Sequence, residues 1–110
     1  MGRAVRYHTS FKHDLAERVR WLRQHRPSEQ RENLRTALAA FTERIAAFPG
    51  VGEEVERRGN RTYRRFMIGS PLPYIVWYYY DIADTRAPVW LVMLMHEEQD
   101  RERFGPDRFE

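Results

Sequence analysis

Apolar residues recur at helical spacing through the first half of the chain and at two-residue spacing through the second, and the change falls near Gly52. Ala4 to His8 alternates weakly and reads as a short first strand. Phe11, Leu15, Val19 and Leu22 then form one stripe of a helix that ends near His25 and Arg26, ahead of Pro27. Thr9 and Ser10 supply N-cap candidates, and Asp14 suits the early part of that helix. A second helix starts at Pro27-Ser28, and its stripe of Leu34, Leu38, Phe41, Ile45 and Phe48 runs to the stop at Phe48-Pro49-Gly50. Beyond Gly52 the spacing predicts strands over Arg61–Ile68, Tyr74–Asp81 and Val89–His96, with turns at Gly59-Asn60, Gly69–Pro73 and Ala83–Pro88.

The order β-α-α-β-β-β predicts an α+β domain. The later strands pair as an antiparallel meander, and the helical hairpin packs on one face. The last strand does not alternate: Val89, Leu91, Met93 and Met95 point one way, while Trp90, Val92, Leu94 and His96 point the other. Both faces are apolar, so both are covered, and the helices account for only one. A partner chain is one candidate for the other face, and the tail or loops folding back are the alternative. Tyr74–Asp81 raises the same question, since Tyr74, Val76, Tyr78 and Tyr80 alternate with Ile75, Trp77 and Tyr79. Trp77, Tyr79 and Trp90 have the chemistry of interface anchors.

Composition narrows the class. At 110 residues, 42% hydrophobic and 32% charged, the chain is expected to be one globular domain over residues 1–110, its tail 97–110 irregular or a short helix. No apolar run approaches the roughly 20 residues of a membrane span, and the N-terminus lacks the apolar stretch of a signal peptide, so a cytoplasmic location is expected. The absence of cysteine removes disulfides and thiolate metal sites. His8 and His13 lie close in sequence, but no spacing of His, Asp or Glu fits a known metal site, and neither metal nor cofactor is expected. Net charge is +3, and Lys12 is the one lysine among 19 basic residues. Arginine favours bidentate contact with phosphate or carboxylate, so the surface suits nucleic acid or an acidic protein.

The whole pattern resembles the RelE/ParE superfamily, the toxins of bacterial type II toxin–antitoxin systems. The residues that carry the resemblance are Asp14-Leu15 in the first helix, the Leu-rich second helix closing on Phe48-Pro49 with Gly52 beyond, Arg64-Arg65, the YIVWYYYD block from Tyr74, and the final strand ending at His96. The resemblance implies an antitoxin partner in a hetero-oligomer. The antitoxin's C-terminal segment wraps the toxin, and Trp77, Tyr79 and Trp90 are its expected contacts. It also implies one of two activities. ParE-like members bind and poison DNA gyrase. RelE-like members bind the ribosome and cleave mRNA. A member inert in both respects is a third possibility.

Cleaving RNA through its 2′-hydroxyl needs a base, an acid and a cation at the phosphorane. For a ribonuclease the resemblance implies Arg65, with Arg64 beside it, as the cation. It implies His96 as acid or base and Tyr78 to orient the phosphate or the base. Arg57, Arg58, Arg61 and Arg64 are the expected nucleic-acid contacts. Adjacent Arg64 and Arg65 face opposite sides of a strand, so one groove can hold only one of them. The RNA-contacting lysines of RelE-like enzymes are missing, and Glu97 and Glu98 follow His96 where many relatives carry basic residues. Acids beside a phosphate site repel the substrate. The gyrase-binding activity is therefore the leading expectation.

Overall fold

The computed structural model describes residues 2–25, 28–69 and 74–96. The elements run β1 (Val5–Tyr7), α1 (Thr9–His25), α2 (Ser28–Ala47), a 3-10 turn (Pro49–Val51), β2 (Glu53–Arg58), β3 (Arg61–Ile68), β4 (Tyr74–Asp81) and β5 (Val89–His96). The α+β class and the N-terminal helical hairpin are as expected. The expected turn at Ser70–Pro73 and the tail 97–110 lie outside the described residues. No helix among the described residues is long and apolar enough to cross a membrane.

Two features of the sheet differ from the sequence reading. Glu53–Arg58 is a strand, so among the described residues β2 makes the sheet five-stranded, in the order β1-β5-β4-β3-β2. The sheet is also mixed, because β1 runs parallel to β5 while the other pairs are antiparallel. β2 holds one apolar residue, Val55, and escapes a hydrophobic-pattern search. Its partners are electrostatic: Glu53 and Glu54 lie opposite Arg65 and Arg64, and the register shifts around Val55. Gly59 closes the β2–β3 hairpin at φ 62°, and Asn60 keeps a negative φ, as in a type II′ turn.

Two apolar layers flank the sheet. Under the helices lie Phe11, Leu22, Leu34, Phe41 and Ile45 with Tyr74, Val76, Tyr78, Tyr80, Val89, Leu91 and Leu94. On the opposite face Tyr63, Trp77, Tyr79, Val92, Met93 and Met95 form a second cluster. The strict alternation expected for β5 fails at Val92. Trp77 pairs with Met93 but Tyr78 pairs with Leu91, so Val92 is an extra residue in the ladder. Met93 and Met95 therefore share the face of Trp90, and Leu94 turns beneath the helices, the reverse of the expected arrangement.

α1 binds the bulged strand through side chains. Ser10 Oγ donates to the Val92 carbonyl at 2.7 Å, and Asp14 Oδ2 accepts from the Leu94 amide at 3.1 Å. Neither residue acts as the helix-start group the sequence suggested, because the helix already begins at Thr9. Both instead satisfy backbone groups on the stretch of β5 that β1 is too short to reach.

Candidate functional site

The turn between α2 and β2 is held from two strands at once. Tyr78 is fully buried, and its hydroxyl donates to the Pro49 carbonyl at 2.7 Å while accepting from the Gly52 amide at 2.8 Å. From β3, Arg64 Nη1 donates to the carbonyls of Gly50 at 3.1 Å and Gly52 at 2.6 Å. A side chain at position 52 would meet Tyr78 Oη at 2.6 Å and the Arg65 carbonyl at 2.7 Å, so only glycine fits. Burial pushes the Tyr78 phenol up to about 12. The hydroxyl is held neutral and both of its hydrogen-bonding roles are filled.

The three residues expected to cut RNA do not converge. Arg65 projects from the face opposite Tyr78, its guanidinium 5.7 Å from the Trp77 ring and 3.1 Å from Glu53 Oε2. His96 pairs across the ladder with Tyr74, and their rings meet edge-on at 5.7 Å. Tyr74 lies four residues from Tyr78 along β4, a separation of about 13 Å at strand rise. The Val92 bulge has turned His96 to the helix side, where Arg18 of α1 stands 5.8 Å from the same Tyr74 ring.

The four residues expected to hold a nucleic-acid backbone are engaged within the chain. Arg57 pairs with Glu54 and Arg58 with Glu56. Arg64 caps the Gly50 and Gly52 carbonyls, and Arg61 sits 4.5 Å over Tyr79. The Glu54 carboxyl is held below its ordinary range by its hydrogen bonds from Arg57 and Thr62. Of the expected antitoxin contacts, Trp77 and Tyr79 are buried and Trp90 is half-buried.

A model of the family described as "ParE toxin of type II toxin-antitoxin system, parDE" matches residues 5–101. The chain belongs to this ParE toxin family. No curated protein and no solved structure matches it. Membership makes it the toxin of a type II toxin–antitoxin system and implies an antitoxin as partner.

On this ParE-family toxin the sheet face opposite the helices carries an open groove. Its volume is about 510 Å³, and Met67, Ile75, Trp77, Met95 and the Arg65–Glu53 pair line it. Met67 is 50% exposed, an apolar side chain left facing solvent at the groove's edge. Nearby, His8 Nε2 lies 2.8 Å from Tyr79 Oη, and the His8 and Trp90 rings are 4.8 Å apart. Burial, assisted by the Arg61 cation, lowers the His8 pKa below the ordinary 6.5. Among the described residues His13 gathers with acids of its own helix and not with His8: ligand atoms of His13, Asp14 and Glu17 lie within 4.8 Å of one another on α1. Asp14 is already committed there to the Leu94 amide.

Sequence reasoning missed the carbonyl-capping role of Arg64 and the clamp made by Arg3. Arg3 Nη1 reaches the carbonyls of Asp81, Asp84 and Ala87 at 2.9, 3.0 and 3.2 Å and ties the β4–β5 loop to the N-terminal strand. Nothing in a hydrophobic pattern marks an arginine whose hydrogen bonds go to backbone carbonyls and whose guanidinium lies 4.9 Å from the Tyr80 ring centre. The Pro-x-x-Gly spacing was the available hint for Arg64.

Proposed function

We propose that this toxin arrests growth in the cytoplasm by binding DNA gyrase, and that its antitoxin neutralises it through the sheet face bearing Trp77, Tyr79 and Trp90. The observation that carries the gyrase reading is the separation of Arg65, Tyr78 and His96. General acid, general base and cation must surround one phosphorus within hydrogen-bond reach. Here Arg65 pairs with Glu53 on one face, and Tyr78 is sealed under the other. His96 stands at the far end of β4. A binding toxin needs none of these groups to meet. The antitoxin reading draws support from the apolar groove beside Trp77, which suits a segment that folds as it binds.

The test is controlled induction of the toxin without antitoxin, with new DNA and new protein pulse-labelled in one culture. The expected result is early loss of DNA synthesis with a DNA-damage response, and inhibition of purified gyrase in a supercoiling assay. Early collapse of protein synthesis, with mRNA cut, would replace this reading with the ribonuclease one. Undisturbed growth would make the chain an inert binding module.

A further inference from the structure

β2 is an edge of the sheet, and among the described residues no strand lies on its outer side. It is 6 residues long and half-buried to exposed throughout. Its sequence, Glu53-Glu54-Val55-Glu56-Arg57-Arg58, has acids at one end and arginines at the other. The bulge around Val55 decides which way these charges face. Glu54 lies opposite Arg64 and accepts from Thr62, and Thr62 lies opposite Arg57. Arg64 in turn pairs with Tyr78 of the helix-side core, so Glu54 and Arg57 both point to the helix side. Glu53 pairs with Arg65 beside Trp77, and the Arg58 guanidinium lies 5.0 Å from the Tyr63 ring centre. Both therefore point to the other side, as does Val55. In an unbulged strand residues 53 and 58 would face opposite ways, and so would 54 and 57.

We propose that β2 pairs antiparallel with β2 of a second copy of this chain, about a two-fold axis between Val55 and Glu56, joining two five-stranded sheets into one. In that register Glu53 lies opposite the partner's Arg58 and Glu54 opposite the partner's Arg57, and the symmetry repeats both contacts. The bulge puts each acid and the arginine it meets on the same face, so the helices of both copies lie on one side of the joined sheet. Glu54 is already paired with Arg57 of its own chain, and Glu53 with Arg65. A carboxylate has lone pairs for a second guanidinium, so Glu54 and Arg57 close a ring of alternating charge with the partner's Glu54 and Arg57. Main-chain hydrogen bonds on the open edge supply the attraction, and the charges set the register. A run of one sign on an edge strand blocks pairing. A mirrored run of both signs turns other edges away and accepts its own copy. Glu53 also lines the sheet-face groove, so the partner's Arg58 stands at the rim of that groove. The pairing asks nothing of the toxin's target and holds whether that target is gyrase or RNA.

The experiment follows the mass of the full-length toxin, purified away from its antitoxin, by sedimentation velocity over a range of protein concentrations and at two salt concentrations. Wild type should form a concentration-dependent dimer that added salt weakens. Glu54→Arg and Arg57→Glu each set like charges opposite one another across the axis, and each should weaken self-association about tenfold or more. An equal mixture of the two variants restores opposite charges at both contacts and should dimerise nearly as wild type does. The double variant E54R/R57E, which keeps the mirrored pattern, should do the same. Circular dichroism checks that each variant is folded. Amides of Glu53–Arg58 should gain protection from hydrogen exchange as the wild-type concentration rises, and this decides alone if a variant does not fold. A wild type that stays monomeric throughout overturns the proposal. A dimer that neither single variant weakens lies on another surface and overturns it too. Protection of these amides only when the antitoxin is added gives the edge to the antitoxin and likewise overturns it.

Discussion

On the β2–β3 ribbon, Arg57, Arg58, Arg64 and Arg65 all lie against acids, carbonyls or rings of their own chain, whereas on the hairpin Arg23, Arg31 and Arg35 meet none among the described residues. The side chain is the same and its surroundings decide its use. On the ribbon Glu53, Glu54 and Glu56 stand opposite or beside the arginines, so charge is consumed in holding an edge strand that has little apolar content of its own. On the hairpin the apolar stripes hold the helices; Arg18 and Arg44 lie over rings, while Arg23, Arg31 and Arg35 line the groove between α1 and α2. A sequence pI of 9.6 therefore says little about where the basic field lies. The part of the chain with the densest arginines is the part where they are most nearly neutralised.

The sharpest way to break the ribbon end is at the turn that Arg64 and Tyr78 secure. Gly52→Ala forces a methyl into Tyr78 Oη and the Arg65 carbonyl, and should cost about 3 kcal/mol of unfolding free energy in urea titration. Tyr78→Phe leaves the buried Gly52 amide without its acceptor and should cost about 1–3 kcal/mol.

The same residue gives a pH test. The folded-state phenol titrates at about 12 against an ordinary 10.0, so its contribution is complete below pH 10 and is lost as pH rises from 10 to 12. Thermal melts across that window should fall more steeply for wild type than for Tyr78→Phe. Next in size, Arg64→Ala frees two carbonyls on a partly exposed turn and should cost about 1.5 kcal/mol by the same denaturation measurement.

Smaller effects sharpen the contrast. His8 is shifted below 6.5, so the neutral ring is favoured by the fold. That stability is complete above pH 6.5 and declines as pH falls through the lowered value. An NMR titration of its ring should show a midpoint below 6.5, and Arg61→Gln should move it part of the way back. At the other extreme, alanine at Arg23, Arg31 or Arg35 should leave stability within about 0.5 kcal/mol. A larger loss there would mean that the hairpin arginines are structural after all.

Much of this fold is legible in the sequence because helix and strand periods are written in large apolar side chains. The α1 stripe through Phe11 and Leu22 and the β4 alternation through Tyr74, Val76, Tyr78 and Tyr80 emerge as read. β2 was illegible because its stabilising pattern is acid opposite arginine, visible only once β3 is laid beside it. The face assignment of β5 failed because its residues are apolar on both sides, so an inserted Val92 leaves no mark in the hydrophobicity. The candidate site was legible as a set of residue types and not as a place. Tyr78 and His96 were chosen for their chemistry. The hydrogen bonds that fill the Tyr78 hydroxyl come from a turn 26 and 29 positions away. Adjacent Arg64 and Arg65 were correctly expected on opposite faces, since that follows from the strand alone.

The parallel pairing of β1 with β5 has a consequence for how the toxin is born. Among the described strands β1 pairs only with β5: the Val89 amide closes onto the Ala4 carbonyl, and Arg3 grips Ala87 across 84 positions of chain. While the ribosome is still at work, the hairpin can form locally. The sheet beneath it cannot close, because β5 lies between β1 and β4. Long-range pairing of this kind is slow and comes late. A translation product interrupted before Val89–His96 lacks the strand that joins β1 to β4, so the sheet closes only once β5 has been made.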